Sequence, residues 1–338
     1  MTERQQWIVY GILGGSLAFN LLHIVDGSTT DGAVATLDDT VEETMPEEQS
    51  EGLVETNGSD NEMTPSEEIL TPEVLSDDWS VLHLSVEHSL TRTFSNAGVP
   101  NPDALSMVFT RLFVWDFDLA RDLRPGDKIE LAYRIAEDGF PEIAGARLQS
   151  KKYGKTFTAF RWQAPKDTYA SYWMIDGTEI NHQLKNSPIR EYEQVTSLLK
   201  DGRGHKGMDW KAPVGTPTYA PKTAIVSRVN FGNFRYNGNC VELKFSDGTL
   251  AKYLHLEKAT VKEGQTVKVG QTVGLVGNTG RSTAPHLHYQ LDKGNRVLDP
   301  VQYHGTYRRK IQDGDVVDFL SDIGPIINAL DAQIVAER

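Results

Sequence analysis

Residues 261–291 read VKEGQTVKVGQTVGLVGNTGRSTAPHLHYQL. Glycine-centred turns at Gly264 and Gly270 separate short Val-rich runs, the pattern of brief antiparallel strands. The stretch closes on His286-Leu287-His288. Residues i and i+2 of an extended strand point to one face, so both imidazoles look into the same site. Working outward, the same density of short β runs and glycine turns holds from about Val195 to Pro300. The expectation is a mainly β domain over residues 191–302, built on an antiparallel sheet.

Upstream, His205-Lys206-Gly207-Met208-Asp209 sets an imidazole and a carboxylate four residues apart across a glycine, and His255 sits in Tyr253-Leu254-His255-Leu256. A catalytic zinc takes three nitrogen or oxygen ligands from protein and keeps one position open. Two histidines and one aspartate satisfy that count and leave an imidazole for proton transfer. The single cysteine, Cys240, excludes an intrachain disulfide and any multi-cysteine metal site. Its alternating setting, CVELK, reads as a buried thiol in a strand.

Taken singly, each of these motifs occurs in many unrelated sequences. In order, GHKGMDW, GTPTYAP, GN before a strand, YLHL and the 261–291 stretch closely resemble the catalytic domain of lysostaphin-type (LytM-like) zinc metalloendopeptidases. The resemblance implies a duplicated hybrid motif fold and one Zn2+ per catalytic domain. It makes His205, Asp209 and His288 the zinc ligands, with His255 and His286 catalytic beside the open position. His286 is expected as general base and His255 as hydrogen-bond donor to the oxyanion, roles that are open to exchange. Asn239 and Tyr253, in the GN and YLHL stretches, are expected to meet substrate, as are Arg281, Ser282 and Thr283 in the loop before the HxH strand. Arg281 is the candidate for a substrate carboxylate.

Residues 79–190 read as a smaller α+β domain. Pro102 opens a helical period through Leu105, Val108, Phe109, Leu112, Trp115 and Leu119, and the turn Leu123–Asp127 leads into a strand at Lys128–Ile135. Asp138-Gly139 and Asp176-Gly177 mark hairpins. His83, His88 and His182 lack partner spacing and read as ordinary histidines. This segment resembles, more softly, the domain that precedes the catalytic module in membrane-associated Gram-negative murein D,D-endopeptidases. That likeness implies cleavage between D-alanine and meso-diaminopimelate in peptidoglycan. The stretch Thr196–Gly204 is shorter than the family's, which bears on one wall of the cleft.

Trp7–Val25 is an apolar run of 19 residues, enough for one span, so residues 1–26 are expected to anchor the chain in the inner membrane with the rest in the periplasm. Cleavage as a signal peptide would export it instead. Residues 27–78 hold 16 acidic and no basic residues and no sustained apolar period, the composition of a disordered tether. A flexible tether of that length spans roughly 40 Å on average. The net charge of −13 is therefore local: outside this segment 31 acidic residues face all 34 basic ones. No basic nucleic-acid patch or phosphate-cradling loop is present. The last segment, 303–338, carries helical spacing in Val317, Leu320, Ile323, Ile327 and Leu330, as for a packing or partner helix.

Three other readings compete. Some LytM-like domains lack zinc ligands and activate amidases, a non-catalytic role that retention of all ligand positions argues against here. The Val-Gly hairpins alone would suit a biotinyl or lipoyl carrier, but the exposed hairpin lysine is missing. Residues 79–190 lying over the cleft would give an enzyme held inactive.

Overall fold

A computed structural model describes residues 75–76, 78–199, 204–232 and 235–336. The expected membrane span and all but residues 75, 76 and 78 of the acidic tether lie outside the described residues. Among the described residues, no helix is long and apolar enough to cross a membrane.

The first layer is a five-stranded antiparallel sheet in the order β1 (Ser80–Ser85), β2 (Lys128–Ile135), β3 (Pro141–Ser150), β4 (Lys155–Trp162) and β5 (Ser171–Trp173). The alternation in β2 puts Ile129, Leu131 and Tyr133 on the buried face. Against that face pack α1 (Leu90–Asn96) and α2 (Pro102–Phe113), with Phe94, Leu105 and Phe109 fully enclosed. Asn101 caps α2, its side chain accepting from the Ala104 amide at 3.3 Å.

Helix α2 stops at Phe113, short of the period expected to run to Leu119. The Phe113 carbonyl accepts from the Phe117 amide, and Asp118 caps a separate short helix, α3 (Leu119–Asp122), accepting from the Arg121 amide. The break releases Trp115 to stack on His182, ring centroids 4.7 Å apart.

The chain then passes through β6 (Gln183–Leu184) into the second domain. Its strands are β7 (Gln194–Ser197), β8 (Met208–Lys211), β9 (Pro217–Tyr219), β10 (Ala224–Asn230), β11 (Asn239–Phe245), β12 (Leu250–Leu256), β13 (Lys258–Ala259), β14 (Thr266–Val267), β15 (Thr272–Leu275), β16 (His286–Lys293) and β17 (Arg296–Leu298). The main sheet runs β14-β10-β11-β12-β16-β8-β7, with β17 beside β16, and β13-β15-β9 form a small second sheet. Every pairing is antiparallel, as glycine-punctuated short strands require. Val273 of the small sheet joins Val241, Tyr253, Leu287 and Tyr289 of the main one in a single buried cluster. Cys240, on β11, is buried as a free thiol.

After α4 (Pro300–His304) the C-terminal segment leaves this domain. Strand β18 (Thr306–Tyr307) pairs with β6, and α5 (Val316–Ala336) returns to the first sheet. Leu320, Ile323, Ile327 and Leu330 are buried as their spacing demands, joined by Phe319 and Ile326, whereas Val317 is exposed.

Candidate metal centre and catalytic cleft

Strand register assembles the site. His288 on β16 lies opposite Asp209 on β8, and residues directly opposite in an antiparallel pair share a face. On the other side of β16, Leu254 pairs with His288, which brings the end of β12 and His255 alongside. The HxH alternation adds His286.

His288 Nδ1 stands 2.8 Å from Asp209 Oδ1 and 3.0 Å from His205 Nε2, and His205 Nε2 is 3.2 Å from the other Asp209 oxygen. Among the described residues this is the one group of three metal-type side chains whose ligand atoms all lie within 4.8 Å of one another. A tetrahedral ion with bonds of about 2.0–2.1 Å sets its donors roughly 3.3 Å apart, so the three side chains fit zinc with little adjustment. The triad also has zinc's donor chemistry, two imidazole nitrogens and a carboxylate.

A carbonyl can only accept, so the 3.0 Å contact from His205 Nδ1 to the Leu198 carbonyl places the ring proton on Nδ1 and leaves Nε2 as the ligating lone pair. Burial alone would raise the Asp209 pKa. The neighbouring His205 and His288 imidazoles act the other way and hold the carboxylate well below its usual range.

Two more imidazoles face the same cavity, of about 330 Å³, which is lined by His205, Asp209, His255, Arg281, His286 and His288. The His255 and His286 ring centroids are 4.7 Å apart, while His255 and His288 are 6.1 Å apart. Neither joins the tight triad, which leaves the open side between them and the ligand atoms.

His255, next to last in β12, lies in the left-handed region, φ 62°, a conformation that costs a non-glycine residue energy and is held here by surrounding bonds. Its amide donates to the Asn237 carbonyl at 3.0 Å, and its Nδ1 donates to the Thr279 carbonyl at 2.8 Å. The loop that supplies Thr279 approaches because Gly277 has no side chain: a Cβ there would stand 2.3 Å from the Glu257 amide nitrogen and 2.7 Å from the His255 carbonyl oxygen.

His286 Nδ1 lies 2.8 Å from the Ala284 carbonyl, to which the Ser282 hydroxyl also donates. Both rings thus carry their proton on Nδ1 and offer an unprotonated Nε2. Burial, reinforced by His286 and His288, pushes the His255 pKa down to about 4, so the ring is neutral near pH 7. The donor role expected for His255 needs a proton on Nε2, which this tautomer lacks; the geometry suits it to accept.

The remaining expected site residues separate into two groups. Arg281 lines the cavity and is exposed, its amide donating to the Tyr236 carbonyl at 2.9 Å. Ser282 supports His286 at 3.1 Å, and Thr283 is exposed in the same loop. Asn239 is not brought to the cavity: its side chain accepts from the Gly232 amide and its own amide donates to Thr279 Oγ1, fastening two loops together. Tyr253 is likewise core, fully buried with its hydroxyl donating to the Tyr219 carbonyl. The left-handed turn at His255 takes the chain out of simple alternation, so His255 faces the cavity while Tyr253 stays in the core. His304 is partly buried, with Nε2 3.0 Å from the Tyr289 hydroxyl.

The carbonyls of Leu198, Thr279 and Ala284, which fix three imidazoles, carry no sequence signal of their own. Of the abbreviated stretch, residues 200–203 lie outside the described residues.

Residues 203–300 match the model of peptidase family M23. These residues form an M23 peptidase domain. Peptidoglycan DD-endopeptidase ShyC of Vibrio cholerae serotype O1 is 35% identical over 220 residues, 60% of this chain and 49% of that protein. Peptidoglycan DD-endopeptidase ShyA of the same organism is 28% identical over 257 residues, 72% of this chain and 58% of that protein. The chain thus spans about half the length of the curated relatives it matches. Among solved structures, a zinc-containing peptidase from Vibrio cholerae is 26% identical with a TM-score of 0.31, covering 67% of this chain and 71% of that one. Lysostaphin from Staphylococcus simulans is 36% identical with a TM-score of 0.28, covering 30% of this chain and 44% of that one.

Proposed function

We propose that this M23 chain is a zinc-dependent endopeptidase that hydrolyses peptide cross-links of peptidoglycan, the bond between D-alanine and meso-diaminopimelate being its target. The observation that carries the reading is the convergence of His205, Asp209 and His288 with two further imidazoles on one cavity. The target bond is supported by relatives that are named peptidoglycan DD-endopeptidases. We further propose that Trp7–Val25 anchors the chain in the inner membrane and that the acidic tether lets the enzyme work in the periplasm, on wall polymer lying off the membrane.

Zinc held by His205, Asp209 and His288 would supply Lewis acidity, polarising the scissile carbonyl and acidifying the attacking water. His286 is the less buried of the two cavity imidazoles, so its cationic form keeps part of its hydration; it takes the proton on Nε2 and returns it to the leaving amine. His255, with Nδ1–H committed to Thr279, accepts a hydrogen bond from the same water and orients it. Arg281 at the rim is placed for a carboxylate of the stem peptide, as a diaminopimelate side chain presents.

The test is digestion of purified cross-linked Gram-negative peptidoglycan by the chain with zinc, beside His288→Ala, with products resolved by mass. Conversion of cross-linked dimers to monomers by the natural chain alone is expected. A folded, zinc-loaded natural chain that leaves the dimers intact would overturn the reading in favour of a binding or amidase-activating role.

A further inference from the structure

A second cavity, of about 490 Å³, opens where the α+β layer meets the M23 domain and shares no lining residue with the histidine cavity. Its walls come from the Lys166–Ser171 loop, the segment Glu179–Glu193, the turns at Ala220 and Gly270, and Tyr307–Arg309. The volume falls within the range of small-molecule sites.

The floor is a closed charge network. Glu179, 1% exposed, accepts from Ser171 Oγ at 2.6 Å, Gln183 Nε2 at 3.1 Å and Arg309 Nε at 2.7 Å. Arg309 grips Asp167 with two further bonds of 2.8 and 2.9 Å, and the Tyr192 hydroxyl donates to Gln183 Oε1 at 2.8 Å. These bonds hold the floor rigid before any ligand arrives.

The network also restricts what the cavity can take. Arg309 is saturated by its two carboxylates, and the Arg190 guanidinium stacks on the Tyr219 ring, 4.1 Å from its centroid, which leaves the exposed Lys166 as a single lining cation rather than a cluster to meet phosphates. The lining is too polar for an acyl chain. What faces the opening is the half-exposed ring of Tyr307, the Tyr169 ring and the exposed polar side chains of Asn186 and Glu191. Aromatic faces receive the C–H surface of a sugar ring, and amide and carboxylate groups receive its hydroxyl and acetamido groups.

We propose that this cavity is a saccharide site that takes an N-acetylhexosamine segment, holding a glycan strand while a peptide cross-link occupies the histidine cavity. The choice of N-acetylated sugar rests on the peptidoglycan reading above; the saccharide class rests on the lining. Because Tyr307 and Tyr169 lie at the opening rather than in the core, substituting them removes ring surface without emptying a packed site.

The experiment is a calorimetric titration of the purified full chain with a soluble β-1,4-linked N-acetylglucosamine tetramer. Saturable binding is expected, weakened about tenfold in Tyr307→Ala and in Tyr169→Ala and unchanged in His288→Ala. No saturation by the tetramer, or equal binding by both tyrosine variants and the natural chain, would overturn the proposal. Tetramer binding lost on Tyr307→Ala supports the site even where the natural chain cleaves no cross-links. Cleavage of cross-links without tetramer binding removes the site and leaves the enzyme.

Discussion

Gly207 lies directly against His288: a Cβ at residue 207 would stand 2.9 Å from His288 Nε2 and 2.4 Å from the Tyr289 carbonyl oxygen. The glycine inside the HxxxD motif is therefore a steric condition for bringing β8 against β16 with a ligating imidazole between them. Gly207→Ala must push His288 or the β16 backbone away from Asp209. We expect a 10- to 100-fold loss of metal affinity by analogy with removing a ligand's support. Competition with a chromophoric chelator measures it. Natural affinity in the variant would show that the strands absorb the methyl group without moving the ligands.

The four imidazoles divide into two classes by their contacts, and the division is testable. His205 and His288 touch Asp209, whereas His255 and His286 are held by the carbonyls of Thr279 and Ala284. Asp209→Ala is expected to lose bound metal, as seen by elemental analysis of the dialysed protein. His255→Ala and His286→Ala should keep the metal and lose turnover by about 10²- to 10⁴-fold, the usual worth of positioned proton transfer. Loss of metal from either of the latter would place it among the ligands instead.

Much of the site was legible because its chemistry is written in residue type and spacing. HxH on a strand puts His286 and His288 on one face, and GHKGMDW supplies His205 and Asp209; the register that sets His288 opposite Asp209 appears only in the fold. What sequence could not give lies in the backbone. The left-handed His255 removes Tyr253 from the site face, and the carbonyls that fix the imidazoles are invisible in residue names. The helix expected to reach Leu119 stopped at Phe113 because Asp118 offers a new cap, a local competition that apolar periodicity does not register. The C-terminal helix was legible as a packing face, but its partner, the first sheet nearly two hundred residues earlier, was not.

His304 gives a stability prediction with a definite sign. Burial, and secondarily the nearby Lys222 charge, push its pKa from 6.5 down to about 4. Between those two values the unfolded chain binds the proton and the folded chain does not, so stability is present above the unfolded pKa and is lost as pH falls through that window. The contribution is at most about 3 kcal/mol, on the order of 1.4 kcal/mol per pH unit. Denaturant midpoints followed across the window should fall less steeply in His304→Gln than in the natural chain. Parallel slopes would show that His304 takes up its proton without leaving its place beside Tyr289.

The C-terminal helix supplies the last prediction, because it packs on the α+β layer and, among the described residues, none of it lines the metal cavity. Phe319 meets the Trp162 ring edge-on at 5.3 Å, the Trp162 indole donates to Asp322 at 2.9 Å, and Asp331 pairs with Arg147 at 2.6 Å. Phe319 is 1% exposed, so Phe319→Ala opens a cavity that α5 and β4 cannot close without losing the indole bond. A cost of about 3–5 kcal/mol is the ordinary figure for a buried phenylalanine. Asp331→Ala should cost far less, since Asp331 is 45% exposed and its pairing is screened by solvent. Chemical denaturation of the two variants separates them, and metal content of the native protein should be the same in both. A Phe319→Ala chain as stable as the natural one would mean that α5 rests on the sheet without contributing to its core.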